Sequence, residues 1–185
     1  MLRHLTHPRV VGISEVGLDF SVPSKHWGKQ EALLERILNL GTMGHVLVMH
    51  LRGGANDPQG RIVHRYVLRL LREKCLPSQR IHLHCFSGDE ELLKLWLEAF
   101  PNTYFGLAGL VRSFSDRSKR AVRSIPGDRI LLETDSPHLA VHRGLRCNTP
   151  GHLADVGQVV APLRGCSLPS LLGQAGVNAL RLYGP

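Results

Sequence analysis

"RILLETDSPHL", residues 129–139, begins as a strand and ends in charge. Ile130, Leu131 and Leu132 form an apolar run that could be buried on both faces, as strands of parallel sheets are. Glu133 and Asp135 follow on the same rigid element, just before Ser136 and Pro137. An isolated aspartate in that position caps a turn or helix. Its meaning therefore depends on whether other strands of the chain end in the same chemistry.

They do. Short apolar runs occur at "RVVGISEV" from Arg9, "HVLVMH" from His45, "RIHLHCF" from Arg80, "NTYFGLAG" from Asn102 and "RILLETD" from Arg129. Between them lie segments with apolar residues every three or four positions, "KQEALLERILNL", "IVHRYVLRLLREK" and "DEELLKLWLEAF", and a more polar one, "SDRSKRAVRS". This alternation predicts an α/β fold, a parallel sheet with crossover helices. A Gly/Pro/Cys-containing loop, "AVHRGLRCNTPGHL", leads to two further helical segments near "LADVGQVVAPL" and "LPSLLGQAGVNALRLY". No linker divides the chain, so residues 1–185 read as a single domain.

In a parallel sheet or barrel the carboxyl ends of the strands share one rim, where residues distant in sequence meet. Glu15, His50, His84 and Asp135 stand at four such ends, with Arg52 just beyond His50. One glutamate, two histidines and an aspartate form a ligand set for zinc, magnesium or manganese, in which a carboxylate can bridge two ions. Taken singly, each has a plain structural role available, and the agreement of four strand ends is what favours a metal. Alternation places His82 on the face of His84 but deeper, which reads as a barrel-interior, structural histidine. The histidines at 4, 7, 26, 45, 64, 138, 142 and 152 read as surface or core residues.

The 185 residues carry 43% hydrophobic and 21% charged side chains, ordinary for a globular domain. A formal charge of +8 draws polyanions without naming one. Four cysteines with no C-x-x-C pair suggest free thiols in a reducing compartment. No window approaches the roughly 18 apolar residues of a membrane span. The expectation is an intracellular chain, cytoplasmic or nuclear, with no membrane partner.

The blocks together resemble the TatD family of metal-dependent deoxyribonucleases, a branch of the amidohydrolase-like barrels. "GISEVGLDF" is similar to that family's G-E-x-G-L-D block, "VLVMHLRGG" to V-I-H-x-R-x-A, "IHLHCFSG" to H-C-F-S-G, and "IPGDRILLETDSPHL" to I-P-x-x-R-x-L-x-E-T-D-x-P. "CNTPGHL" and "NALRLYG" match weaker C-terminal signatures, and the vertebrate-type TatD-domain proteins look closest. The resemblance implies hydrolysis of DNA, as an exonuclease, with two divalent ions (Mg, Mn or Zn). It implies Glu15 as the bridging ligand, His50 and His84 as ligands of the second ion, and Asp135 as ligand of the first and the residue that orients or deprotonates water. It also implies Arg52 as a contact to substrate phosphate, with Glu133 supporting the site and Asp19 standing in a family block.

The family pattern also contains an H-x-H strand and two further strand-helix units before the "GISEVGLDF" block, without counterpart in this sequence. A closed barrel takes about 250 residues. The expectation is therefore an N-terminally truncated barrel, about the last five of eight strand-helix units, with a weakened first ion position and impaired catalysis. Ser14 replaces the usual glycine before Glu15, and "HLRGG" places two glycines beside His50. Two rival readings follow from the same residues: an amidohydrolase of small amides or lactones, and a non-catalytic chain that binds nucleic acid or a partner.

Overall fold

The computed structural model describes residues 5–40, 44–142, 144 and 147–184. Residues 1–4 of the opening stretch and 143, 145 and 146 of the Gly/Pro/Cys loop lie outside the described residues. Five strands form one sheet in the order β1 (Gly12–Asp19), β2 (Val46–Arg52), β3 (Ile81–His84), β4 (Thr103–Leu107) and β5 (Ile130–Leu132). Every neighbouring pair is parallel, with β1 and β5 at the edges. The crossovers carry α1 (Trp27–Leu38), α2 (Arg61–Lys74), α3 (Glu90–Ala99) and α4 (Asp116–Ser124), and α5 (Leu153–Arg164) and α6 (Leu168–Tyr183) follow β5. No helix among the described residues is long and apolar enough to cross a membrane.

The strands sit where alternation predicts, with displaced ends at β1 and at β5, which stops at Leu132 three residues before Asp135. β1 begins three residues later than the apolar run and continues to Asp19, because its register slips between Ile13 and Val16. Ile13, Val16 and Leu18 all face the helices, and the irregularity leaves Ser14 and Glu15 exposed between them. Gly17 completes the close approach to β2: a Cβ there would stand 1.9 Å from the His50 carbonyl oxygen, a distance that excludes any other residue.

Both faces of the sheet are covered, which explains the continuous apolar runs. Leu47 and Met49 of β2, Ile81 and Leu83 of β3, Phe105 and Leu107 of β4 and Ile130 of β5 pack on the helices. From α2, Val63, Val67 and Leu71 meet them at helical spacing, each fully buried. Side chains of that kind contribute about 2 kcal/mol apiece by leaving water. On the opposite face Val46, Val48, Tyr104 and Leu131 form a smaller cluster closed by Leu182, Ala179 and Tyr183 of α6. His50, His82 and His84 belong to this inner face by alternation.

The last helix is tied down along its length. Ser167 caps it by accepting from the Ser170 amide. The fully buried Asn178 donates to the carbonyls of Gly127 and Ile130, both at 2.8 Å. Arg80 donates to the Leu182 carbonyl at 2.9 Å. α6 thereby delivers its C-terminal residues beneath the inner face of β3.

Candidate metal centre

The four strand-end residues converge as their positions predict. Glu15 reaches two histidines with its two oxygens: Oε2 lies 3.3 Å from His50 Nδ1 and Oε1 lies 3.6 Å from His84 Nε2. Asp135 Oδ1 stands 3.1 Å from the same His84 nitrogen. Ligand atoms of Glu15, His50 and His84 all lie within 4.8 Å of one another. His50 and His84 are partners across β2 and β3, and their rings stack at 6.3 Å.

Asp135 attains its place by leaving the strand. Its φ is +56°, the left-handed region that a non-glycine residue occupies at a cost. Cys85, after His84, has φ +49°. Both residues mark the point where a buried strand turns abruptly into the rim, and the turn swings Asp135 across to β3. Glu133 remains in strand register, its amide bonded to the Leu107 carbonyl.

Glu133 lies behind His84. Its Oε2 accepts from His84 Nδ1 at 2.8 Å and its Oε1 accepts from the Cys85 amide at 2.5 Å. Carboxylates flank His84 on both nitrogens, Glu133 at Nδ1 and Asp135 at Nε2. A donor hydrogen on Nδ1 directs the Nε2 lone pair to the rim, the arrangement in which metal-binding histidines are held. Burial opposes a charge on His84, yet with no cation at the rim the bond to Glu133 and the charges of Glu133, Glu15 and Asp135 prevail and raise its pKa to about 9, so a bound metal would displace the Nε2 proton. Burial likewise opposes the charge on Glu133, and its bond to His84 with the neighbouring imidazoles wins, lowering its pKa.

Asp19 completes the rim. Its Oδ2 is 3.6 Å from His50 Nε2, and it accepts from the Ser21 amide at 2.8 Å. Burial raises its pKa less than Ser21, His50 and Arg52 lower it. Glu15, Asp19, Glu133 and Asp135 therefore place four carboxylates around two imidazoles. Excess negative charge with oxygen and imidazole donors is the chemistry that divalent cations complement, so the residues present fit a metal. The Cys85 sulfur is 3.3 Å from His84 Nε2; burial and the surrounding carboxylates push its pKa up, which keeps it a thiol.

His82 is interior, as predicted, and 7% exposed. Burial lowers its pKa despite the Glu133 charge. It bonds through Nδ1 to the Tyr183 hydroxyl at 2.6 Å, a partner that sequence reasoning missed. Alternation on β3 signals only that His82 faces inward, and nothing local connects it to a residue 101 positions away. Burial raises the Tyr183 pKa, with Glu133 adding to the effect.

The rim opens into a cleft of about 1170 Å³ lined by Glu15, His50, Arg52, His84 and Asp135, with the loop after β4 on the far side. Arg52 is exposed at the end of β2, at the margin of this cleft. Ser87, Ser113 and Ser115 add hydroxyls to its wall.

The fold and the sequence are similar to those of known proteins. The E. coli TatD homologue YJJV superposes with a TM-score of 0.80 at 20% identity, over 100% of this chain and 67% of that one. The human 3'-5' RNA nuclease TATDN2 is 31% identical over 99% of this chain and 24% of its own length. The 3'-5' ssDNA/RNA exonuclease TatD of Musicola paradisiaca is 31% identical over 96% of this chain and 66% of its own length. The chain thus spans about a quarter of the human relative and just under two thirds of the bacterial one. The sequence model described as TatD related DNase matches residues 1–184. With that match over nearly its whole length, on a parallel sheet whose strand ends gather these acids and histidines, the chain belongs to the TatD-related DNase family.

Proposed function

We propose that this chain is a metal-dependent nuclease that hydrolyses phosphodiester bonds of DNA from an end. The observation that carries the reading is the meeting of Glu15, His50 and His84 ligand atoms within 4.8 Å, with Asp135 beside His84, at the floor of an open cleft. The relatives' names include both RNA and single-stranded DNA, so both are substrates to assay. A nucleic-acid substrate is compatible with the expected cytoplasmic or nuclear setting.

Glu15, His50, His84 and Asp135 would hold a divalent metal, Glu15 turning its two oxygens towards different histidines. The donor set accommodates Mg, Mn or Zn. When bound, the divalent cations supply Lewis-acid polarisation of a phosphoryl oxygen and acidification of water. Asp135 orients the attacking water and accepts its proton, as a carboxylate held at the cleft floor can. Arg52 meets a phosphate with its planar fork, which fixes the strand at the mouth of the cleft. Glu133 keeps the Nδ1 hydrogen on His84 and so presents Nε2 to the rim.

The test is cleavage of end-labelled single-stranded DNA and RNA by the purified chain with Mg²⁺, Mn²⁺ or Zn²⁺. Metal-stimulated shortening from one end is expected, with a loss of about a hundredfold or more in His84→Ala and in Asp135→Asn. Full activity in either variant overturns the proposal. Binding of the oligonucleotide without cleavage, unchanged in His84→Ala, favours a non-catalytic binding chain instead.

A further inference from the structure

The geometry points to His82 and Tyr183 as positioning residues that set the orientation of the metal ligand His84 by acting through Glu133. This rests on the metal-centre reading above and extends it to the C-terminus of α6. The four side chains form an unbroken line from the cluster beneath the sheet to the rim. Tyr183 Oη lies 2.6 Å from His82 Nδ1, His82 Nε2 lies 3.5 Å from Glu133 Oε2, and that same oxygen lies 2.8 Å from His84 Nδ1.

The direction of the hydrogens follows from charge. His82 Nε2 is buried with no hydrogen-bond partner, and the Glu133 carboxylate faces it at 3.5 Å. A lone pair aimed at a carboxylate would be repelled, whereas an N–H is attracted even at 3.5 Å, a distance beyond a normal hydrogen bond. Nε2 therefore carries the hydrogen and Nδ1 accepts from the Tyr183 hydroxyl. Tyr183 reinforces this tautomer by donating to Nδ1; without its O–H only the Glu133 charge favours the hydrogen on Nε2. With the tautomer fixed, Glu133 Oε2 faces N–H groups on two sides, from His82 and from His84. The carboxylate is held, and His84 is held with it.

The surrounding packing has been cleared for this line. A Cβ on Gly106 would stand 2.1 Å from Glu133 Oε1 and 2.4 Å from His82 Nε2, so β4 has a glycine where the two side chains pass. At the other end, Arg80 and Asn178 fix α6 through the Leu182, Gly127 and Ile130 carbonyls. Tyr183 is consequently a placed hydroxyl. The last turn of α6 thereby acts on the metal centre from behind Glu133.

The experiment titrates Mn²⁺ alone into the purified chain, read by calorimetry, for wild type, Tyr183→Phe, His82→Leu, Glu133→Gln and the double variant Tyr183→Phe/Glu133→Gln. Tyr183→Phe is expected to weaken Mn²⁺ binding by about tenfold, at the lower end for groups behind a ligand, and His82→Leu at least as much. The metal-free melting temperature of Tyr183→Phe stays within about 2 °C of wild type. In the Glu133→Gln background the Tyr183→Phe change is expected to cost less than about twofold, since the connection is already cut. Ring-nitrogen NMR of metal-free His82 reports the Nε2–H tautomer in wild type and a larger share of Nδ1–H in Tyr183→Phe, where Glu133 alone holds the preference. Unchanged Mn²⁺ affinity in Tyr183→Phe overturns this inference and leaves the metal-centre reading standing. An equal loss in both backgrounds also overturns it, as a general structural effect. A wild-type chain that takes up no Mn²⁺ overturns the metal-centre reading itself, and this inference with it.

Discussion

His64 lies on α2 between the helices, 3% exposed, and its protonation provides a sharp test of how the core is built. Its Nδ1 accepts from the Trp96 indole N–H at 2.9 Å, and its ring meets Phe86 and Trp96 edge-on at 5.8 and 5.9 Å. A proton added at Nδ1 would oppose the indole N–H with a second donor and bury a charge among apolar rings. Burial accordingly lowers the His64 pKa from 6.5 to about 4, against the weaker pull of Asp57 and Asp89. Below pH 6.5 the unfolded chain binds a proton that the native chain refuses, so stability falls as pH falls through this window. With these two pKa values the loss is about 2 kcal/mol at pH 5 and approaches about 3 kcal/mol below pH 4. For a chain of this length that corresponds to a drop of roughly 6 °C in melting temperature at pH 5. The assay is urea unfolding from pH 8 to pH 4.5 for wild type and His64→Phe. The variant is less stable at pH 8, because Trp96 loses its acceptor, but its stability should decline less steeply on acidification, closing the gap by about 2 kcal/mol at pH 5. Parallel decline of the two proteins would refute the reasoning.

Two further outcomes follow from the same structure. Asn178→Leu strands the Gly127 and Ile130 carbonyls that Asn178 satisfies inside the protein, and should cost about 2–4 kcal/mol in chemical unfolding. Arg52→Ala removes the guanidinium proposed to meet phosphate at the mouth of the cleft, so oligonucleotide binding should weaken uniformly across sequences while the slope of log affinity against log salt falls by about 0.7 for a single strand; an unchanged slope places the phosphate elsewhere.

Much of the site was legible because its chemistry coincides with strand ends. Parallel strands necessarily bring their carboxyl ends to one rim, so identifying where Glu15, His50, His84 and Asp135 stand in the apolar pattern was enough to predict their meeting. The helices were legible for a similar reason: the apolar spacing of α2, α3 and α6 is local information. Boundaries were less so, since β1 runs past the expected end after an irregularity in its pairing with β2 that depends on the neighbouring strand. Glu133 was legible as a residue behind the rim, but that it and Asp135 hold opposite nitrogens of one imidazole was not.

What the sequence by itself determined was the succession of strands and helices, the family and the residues that line the rim, because hydrophobic period and motif order are properties of neighbours in the chain. The tertiary structure alone decided how those residues are aimed. The left-handed turn at Asp135, the glycine clearance at Gly106 and the Tyr183 hydroxyl against His82 arise where distant segments come into contact. Hydrogen bonds and close packing act over a few ångströms, and only the folded chain brings residues 82, 133 and 183 that near.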